Sequence, residues 1–299
     1  MALTAIGFLA DGYTDPDYRR FTSPQQHALI VGTSRSGQGI QPAILNRLLK
    51  DEYRQNLFNF SFSAFSSPFG EVYLNAIQKK LDSSTNHSFF IVSVDPWSIA
   101  GPGMAPEDAS GFIETKNGLN NNPWINTNPN FIYLARNYSQ PYLTLLTGKI
   151  HRAFFHYRPP MYLHDDGWLE SSIAMDSLSV SDRSSATFSR YQAYLDSFKI
   201  SRTRIHWLGK TIAFLQRHGD VYMVRIPVSP PLLSLENGFC PYFNPLMDSI
   251  ARQQGVPYFD FTGASAGYRY IDGSHLDRES SGRLSEELSQ LIINYRHTR

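Results

Sequence analysis

One cysteine in 299 residues, Cys240, excludes an internal disulfide and any thiolate-based metal cluster. An excess of one charge is missing too. Twenty-seven Lys and Arg face 26 Asp and Glu, for a net charge of +1, and the basic residues are scattered, so no nucleic-acid footprint is indicated. Neither a Walker A sequence nor Gly-x-Gly-x-x-Gly occurs, and nothing points to a nucleotide cofactor. Long apolar runs are missing as well. The stretch Ala2 to Ala10 is about half the length that spans a bilayer and lacks the basic leader of a signal peptide. It reads either as a short N-terminal strand or packed arm over 1–26, or as the stub of a membrane anchor. His151, His156 and His164, beside Asp165 and Asp166, match no zinc spacing, so they read as surface or cleft-lining residues and no metal is expected. There is no internal repeat, and the short run Asn120-Asn121-Asn122 reads as a polar turn.

What is present fits one globular domain with a large insertion, or two small domains, at 41% hydrophobic residues. His27 to Val31 reads as a buried strand, and Pro42 opens a helix with Ile44, Leu45, Leu48 and Leu49 on one stripe. Residues 57–62 suit a second strand, 69–81 a helix, and Phe89 to Val94 a third strand. After a gap the pattern resumes with a helix over 204–217, a strand over 221–226 ended by Pro227, Pro230 and Pro231, a helix over 244–254, a strand over 258–261 and a final helix striped by Leu284, Leu288, Leu291, Ile292 and Tyr295. Such alternation predicts an α/β fold, a three-layer sandwich around a parallel sheet, from segments 27–100 and 201–299. Residues 101–200, rich in Asn, Ser and aromatics, are too long for a structureless loop and read as an inserted, partly helical cap over the strand ends. Its aromatics serve either as sugar-stacking platforms or as packing for the cap itself.

Two local contexts carry the chemistry. Gly32-Thr33-Ser34-Arg35 follows the first strand directly, so Ser34 falls at a strand's carboxyl end, where ligand sites of open α/β sheets lie. Asp272-Gly273-Ser274-His275 precedes the last helix, with Ser274-x-x-Asp277 as a variant capping box. A serine hydroxyl becomes a good nucleophile once an imidazole accepts its proton, and that imidazole needs a carboxylate to fix its tautomer. Asp272 and His275 can supply both from one loop. Arg35 and Gln38 are expected beside Ser34 at the pocket mouth; the competing reading makes Ser34 a helix cap, His275 a polar loop residue, and Arg35 and Gln38 ordinary polar surface.

The strand-Gly-Thr-Ser pattern resembles the first block of the SGNH, or GDSL-like, hydrolases, and Asp272-x-x-His275 resembles their last. The stretch Leu29 to Pro42, with Asp95-Pro96-Trp97 and Asp272 to Asp277, is most similar to bacterial envelope members related to polysaccharide O-acetylation proteins. The resemblance implies a flavodoxin-like fold with Ser34 as nucleophile, His275 as base and Asp272 as its orienting carboxylate. It implies an oxyanion hole from the backbone N–H groups of Ser34 and Ala64, with Asp95 and Trp97 near the substrate. Two departures stand out. Ala64 occupies the place of a customary glycine, and Asp95 stands where an asparagine donor is usual, so the hole rests on backbone donors alone or on Arg35. The implied activity is an O-acetyl esterase or O-acetyltransferase without cofactor, acting on a cell-envelope glycan. A membrane-bound acyltransferase is a possible partner, and the location is the envelope or periplasm, with the cytoplasm left open. The rival is a catalytically silent carbohydrate-binding or assembly protein that keeps the fold.

Overall fold

The computed structural model describes residues 2–116 and 118–298. Five parallel strands form the central sheet: β1 (Ala28–Val31), β2 (Leu57–Asn59), β3 (Ser88–Ser93), β4 (Gly219–Arg225) and β5 (Tyr258–Asp260). Their spatial order is 2-1-3-4-5, so the winding reverses between β1 and β3. The crevice of such a sheet lies at that switch point, outside the carboxyl ends of the strands.

Because side chains alternate across a strand, each strand feeds two cores. Leu29, Val31, Phe90, Val92, Val221 and Met223 point to one face, where they meet Ile77 of α3 (Glu71–Lys80), Leu208 and Ile212 of α5 (Arg202–Gln216) and Met247 of α7 (Phe243–Gln254). Ala28, Ile30, Ile91, Tyr222 and Val224 point to the other. There they meet Leu45 of α2 (Pro42–Leu48) and Leu284, Leu288 and Ile292 of α8 (Arg278–His297). Each large apolar side chain so buried contributes roughly 1.5–3 kcal/mol.

Boundaries differ from the expectation where capping chemistry decides. Strand β2 ends at Asn59, whose side-chain amide donates to the carbonyls of Ser36 and Ile40, while the Phe60 N–H still donates to the Ile30 carbonyl of β1 at 2.8 Å. The prolines after β4 open a helix, α6 (Pro230–Phe239), as proline at a first turn allows. Helix α8 starts after Asp277, whose carboxylate accepts from the Ser280 N–H at 2.8 Å. The capping box centred on Ser274 is therefore absent, and His275 sits in the loop before the cap. Residues Ala2–Gly7 form a short helix rather than a strand and pack against Leu143–Phe155, as two alanines and a leucine favour. Among the described residues no helix is long and apolar enough to cross a membrane.

The insertion leaves through Ala100–Pro102 and returns through Phe198–Ile200. These two segments pair antiparallel, with the Gly103 N–H on the Ser197 carbonyl at 2.8 Å. Between them lie the helix Leu143–Phe155, a hairpin of Met161–Leu163 with Leu169–Ser171, and the long helix α4 (Ser177–Ser197).

Candidate active site

Ser34 opens the six-residue helix α1 (Ser34–Gly39), three residues past the end of β1. Gly32 makes the exit possible. A Cβ there would sit 2.6 Å from the Ser36 hydroxyl and 2.7 Å from the Ser93 Cβ. Thr33 holds the N-cap position of α1, yet its hydroxyl donates to Asp95 at 2.7 Å instead of capping the helix. The Ser34 N–H, first in the helix, has no carbonyl or side-chain partner among the described residues.

From the other end of the chain, the loop 271–275 brings His275 to Ser34. The His275 Nε2 lies 2.9 Å from the Ser34 Oγ, and its Nδ1 lies 2.9 Å and 3.1 Å from the two oxygens of Asp272. With Nδ1 protonated and donating to the Asp272 carboxylate, Nε2 is the lone-pair side and accepts from the serine hydroxyl. Asp272 also accepts the backbone N–H groups of Ser274 and His275, each at 2.9 Å. Burial alone would push its carboxyl up. The His275 ring and these N–H donors outweigh burial and hold it down at about 2. Gly273 at φ +80° supplies the left-handed step that lets one carboxylate reach both the backbone and the ring.

The loop is fastened from three sides. Its Gly273 carbonyl accepts from the Ser229 N–H at 2.8 Å, its Ile271 carbonyl from Arg183 of α4 at 2.7 Å, and its Ser274 hydroxyl lies 3.3 Å from both Arg35 Nε and the Tyr191 hydroxyl. Arg35 is not at the pocket mouth. It is 3% exposed, 2.6 Å from Glu236 and beneath the Tyr191 ring. Glu236 also takes Arg225 at 3.2 Å and the Trp97 indole N–H at 2.9 Å. Burial raises the Glu236 carboxyl, but the two guanidinium groups outweigh it and keep it below its ordinary value. Glu236 had no local signal in the sequence as a partner of Arg35, which lies some two hundred residues away.

Of the expected substrate residues, Trp97 lines a cavity of about 150 Å³ beside Ser34, together with Ala64, while Arg35, Gln38 and Asp95 do not. One helical turn carries Gln38 about 6 Å up the axis from Ser34. There its carbonyl accepts from the Trp168 indole at 2.9 Å. Asp95 is buried as the cap of the turn Pro96–Ile99, accepting from the Trp97 and Ser98 N–H groups and from Thr33, so it joins the ends of β1 and β3. Ala64, in the loop after β2, has a backbone N–H without a partner among the described residues. Ser34 and Ala64, whose amides have no partner among the described residues, thus line the same cavity, and neither Asp95 nor the buried Arg35 lines it.

The insertion presents α4 to this cavity, through Thr187, Arg190, Tyr191 and Tyr194, with Phe198 behind. Its histidines lie elsewhere: His164 pairs with Glu170 at 2.7 Å and stacks on Trp168, and His151 packs on Phe155. The arrangement is a hydrogen-bonded Ser-His-Asp chain at the carboxyl edge of a doubly wound α/β sheet. No protein-family model matches the chain, and no curated protein shows significant similarity to it.

Proposed function

We propose that the protein is a serine acyl-ester enzyme of the SGNH type, an esterase or acyltransferase. The observation that carries this reading is the continuous chain from Ser34 through His275 to Asp272 with both links at 2.9 Å. In the proposed reaction the Ser34 oxygen bonds to an ester's acyl carbon while its proton passes to His275 Nε2. The negative oxygen of the tetrahedral intermediate takes hydrogen bonds from the Ser34 and Ala64 amides. Collapse breaks the acyl carbon to alkoxy oxygen bond, and the alcohol leaves with the proton from His275. A water, or a sugar hydroxyl in the transferase case, then gives its proton to His275 and attacks the acyl-serine; the acyl carbon to Ser34 oxygen bond breaks, and His275 returns the proton to Ser34. A cell-envelope glycan as the alcohol half of the ester, and with it an envelope location and a membrane-bound acyltransferase partner, are proposed on the family resemblance.

A catalytically silent binding protein is the second reading. It draws on the absence of a side-chain oxyanion donor, since Asp95 is committed to Thr33 and the turn. Treatment with a fluorophosphonate and mass spectrometry separates the two. The enzyme reading expects a single adduct on Ser34, abolished in Ser34→Ala and in His275→Ala, with ester turnover down by about 10⁴-fold or more in both. An unlabelled Ser34 in the folded protein favours the silent reading.

A further inference from the structure

We infer that the cavity beside Ser34 receives the acyl half of the ester, and that this acyl group is an unbranched aliphatic chain of about four to eight carbons rather than acetyl. The inference rests on the acyl-ester reading above and names its substrate class.

The wall is the first ground. Phe65, Pro68, Trp97, Ile113, Tyr194 and Phe198 turn carbon to the cavity. The Phe65 ring meets Tyr194 and Phe198 edge-on or tilted, with centroids 5.2 and 5.7 Å away. Most polar groups on the wall are already engaged. Glu114 and Arg204 form a bidentate pair at 2.6 and 3.0 Å, both buried, the Ser63 hydroxyl is 2.9 Å from Ser66, and that of Tyr191 is with Ser274. Among the described residues the Thr187 and Tyr194 hydroxyls and the exposed Arg190 stay open at the wall, so a sugar ring laid against the carbon side of the cavity would leave hydroxyls without partners, and each unpaired hydroxyl is costly. A hydrocarbon chain asks for none.

Size is the second ground. A dry apolar cavity of about 150 Å³ holds one benzene, so this one has room for about six carbons. An acetyl methyl group would leave most of it unfilled. Connection is the third, because Ser34 and His275 themselves line the cavity, so its contents lie next to the reacting atoms. The step is the one written above. An ester and water give the alcohol and a medium-chain carboxylic acid, with no other reactant.

The test is kcat/KM of the full chain on p-nitrophenyl acetate, butyrate, hexanoate, octanoate and dodecanoate, repeated with Thr187→Phe, which fills the cavity from α4, and Phe65→Ala, which removes part of its wall. Burial of each methylene is worth roughly threefold or more, so hexanoate should exceed acetate by at least tenfold, with the gain ending before dodecanoate. Thr187→Phe should lower the hexanoate-to-acetate ratio at least tenfold, and Phe65→Ala at least threefold. Fluorophosphonate labelling of Ser34 reports whether each variant keeps its fold. If Thr187→Phe loses labelling, the half-buried Phe65 site decides. Acetate as the best substrate, with a steady decline on lengthening, overturns the acyl-chain assignment and leaves the triad standing. A ratio unmoved in the variants that label also overturns it. No turnover of any ester and no adduct on Ser34 overturn the acyl-ester reading itself, and this inference with it.

Discussion

At Asp272 one carboxylate serves both the fold and the proposed reaction. Its proton affinity is lowered on folding, to about 2 from an ordinary value of 3.8. A group depressed in this way stabilises the native state fully above its unfolded value and loses that contribution as pH falls through the folded one. The window is therefore about pH 4 down to about pH 2, and the contribution is on the order of 2 kcal/mol. Asp272→Asn should unfold at lower urea than the wild type at pH 6, with the gap closing near pH 2. The same variant should lower kcat by about 10⁴-fold while folded, since an amide there favours the wrong imidazole tautomer. A urea gap that persists unchanged at pH 2 would place the stabilisation elsewhere. Behind the loop, Arg35, Arg225 and Trp97 converge on the one carboxylate of Glu236 in a buried network. It fixes Ser274 from below, while Thr33 and Asp95 fix the turn that carries Ser34.

The elements that carry the site are short, and their terminal residues decide its geometry. Gly273 is the clearest case, because its positive φ lets Asp272 cap its own loop, and a Cβ would stand 3.0 Å from the Ser229 hydroxyl. Gly273→Ala should cost about 1–3 kcal/mol through backbone strain and lower kcat more than it raises KM. Thermal unfolding with steady-state kinetics checks both, and kinetics equal to wild type would show that the loop absorbs the change. The largely apolar runs at 27–31, 89–94 and 221–226 made the parallel sheet legible in the sequence, because a strand buried on both faces reads as a continuous hydrophobic stretch. Ser34, Asp272 and His275 were legible for a related reason: strand ends and pre-helical loops have local signatures. Long-range pairings do not. Nothing near Arg35 announces Glu236, and nothing near Gln38 announces that Trp168 of the insertion claims its carbonyl. Helix α4 was hidden too, since its cavity-facing residues Thr187, Tyr191 and Tyr194 form one narrow stripe in a mostly polar segment.

Across the whole molecule, two apolar layers share one sheet, and the central strand β3 belongs to both. Ile91, fully buried against the α8 side, should cost about 2–5 kcal/mol when replaced by alanine, read by urea denaturation. A loss under 1 kcal/mol would mean that the layer collapses around the gap. Residues 103–197 join this body where Ala100–Pro102 runs beside Phe198–Ile200, so the two ends of a long excursion are a single hydrogen bond apart. Bringing the ends of so long a segment together costs chain entropy, yet only roughly 3 kcal/mol more than a five-residue turn would, because the penalty grows with the logarithm of length. The excursion is therefore cheap to close and free to reach back, as Asp166 does to the Asn59 N–H, Trp168 to Gln38 and Arg183 to Ile271. Change in its sequence and length is tolerable only between those footholds.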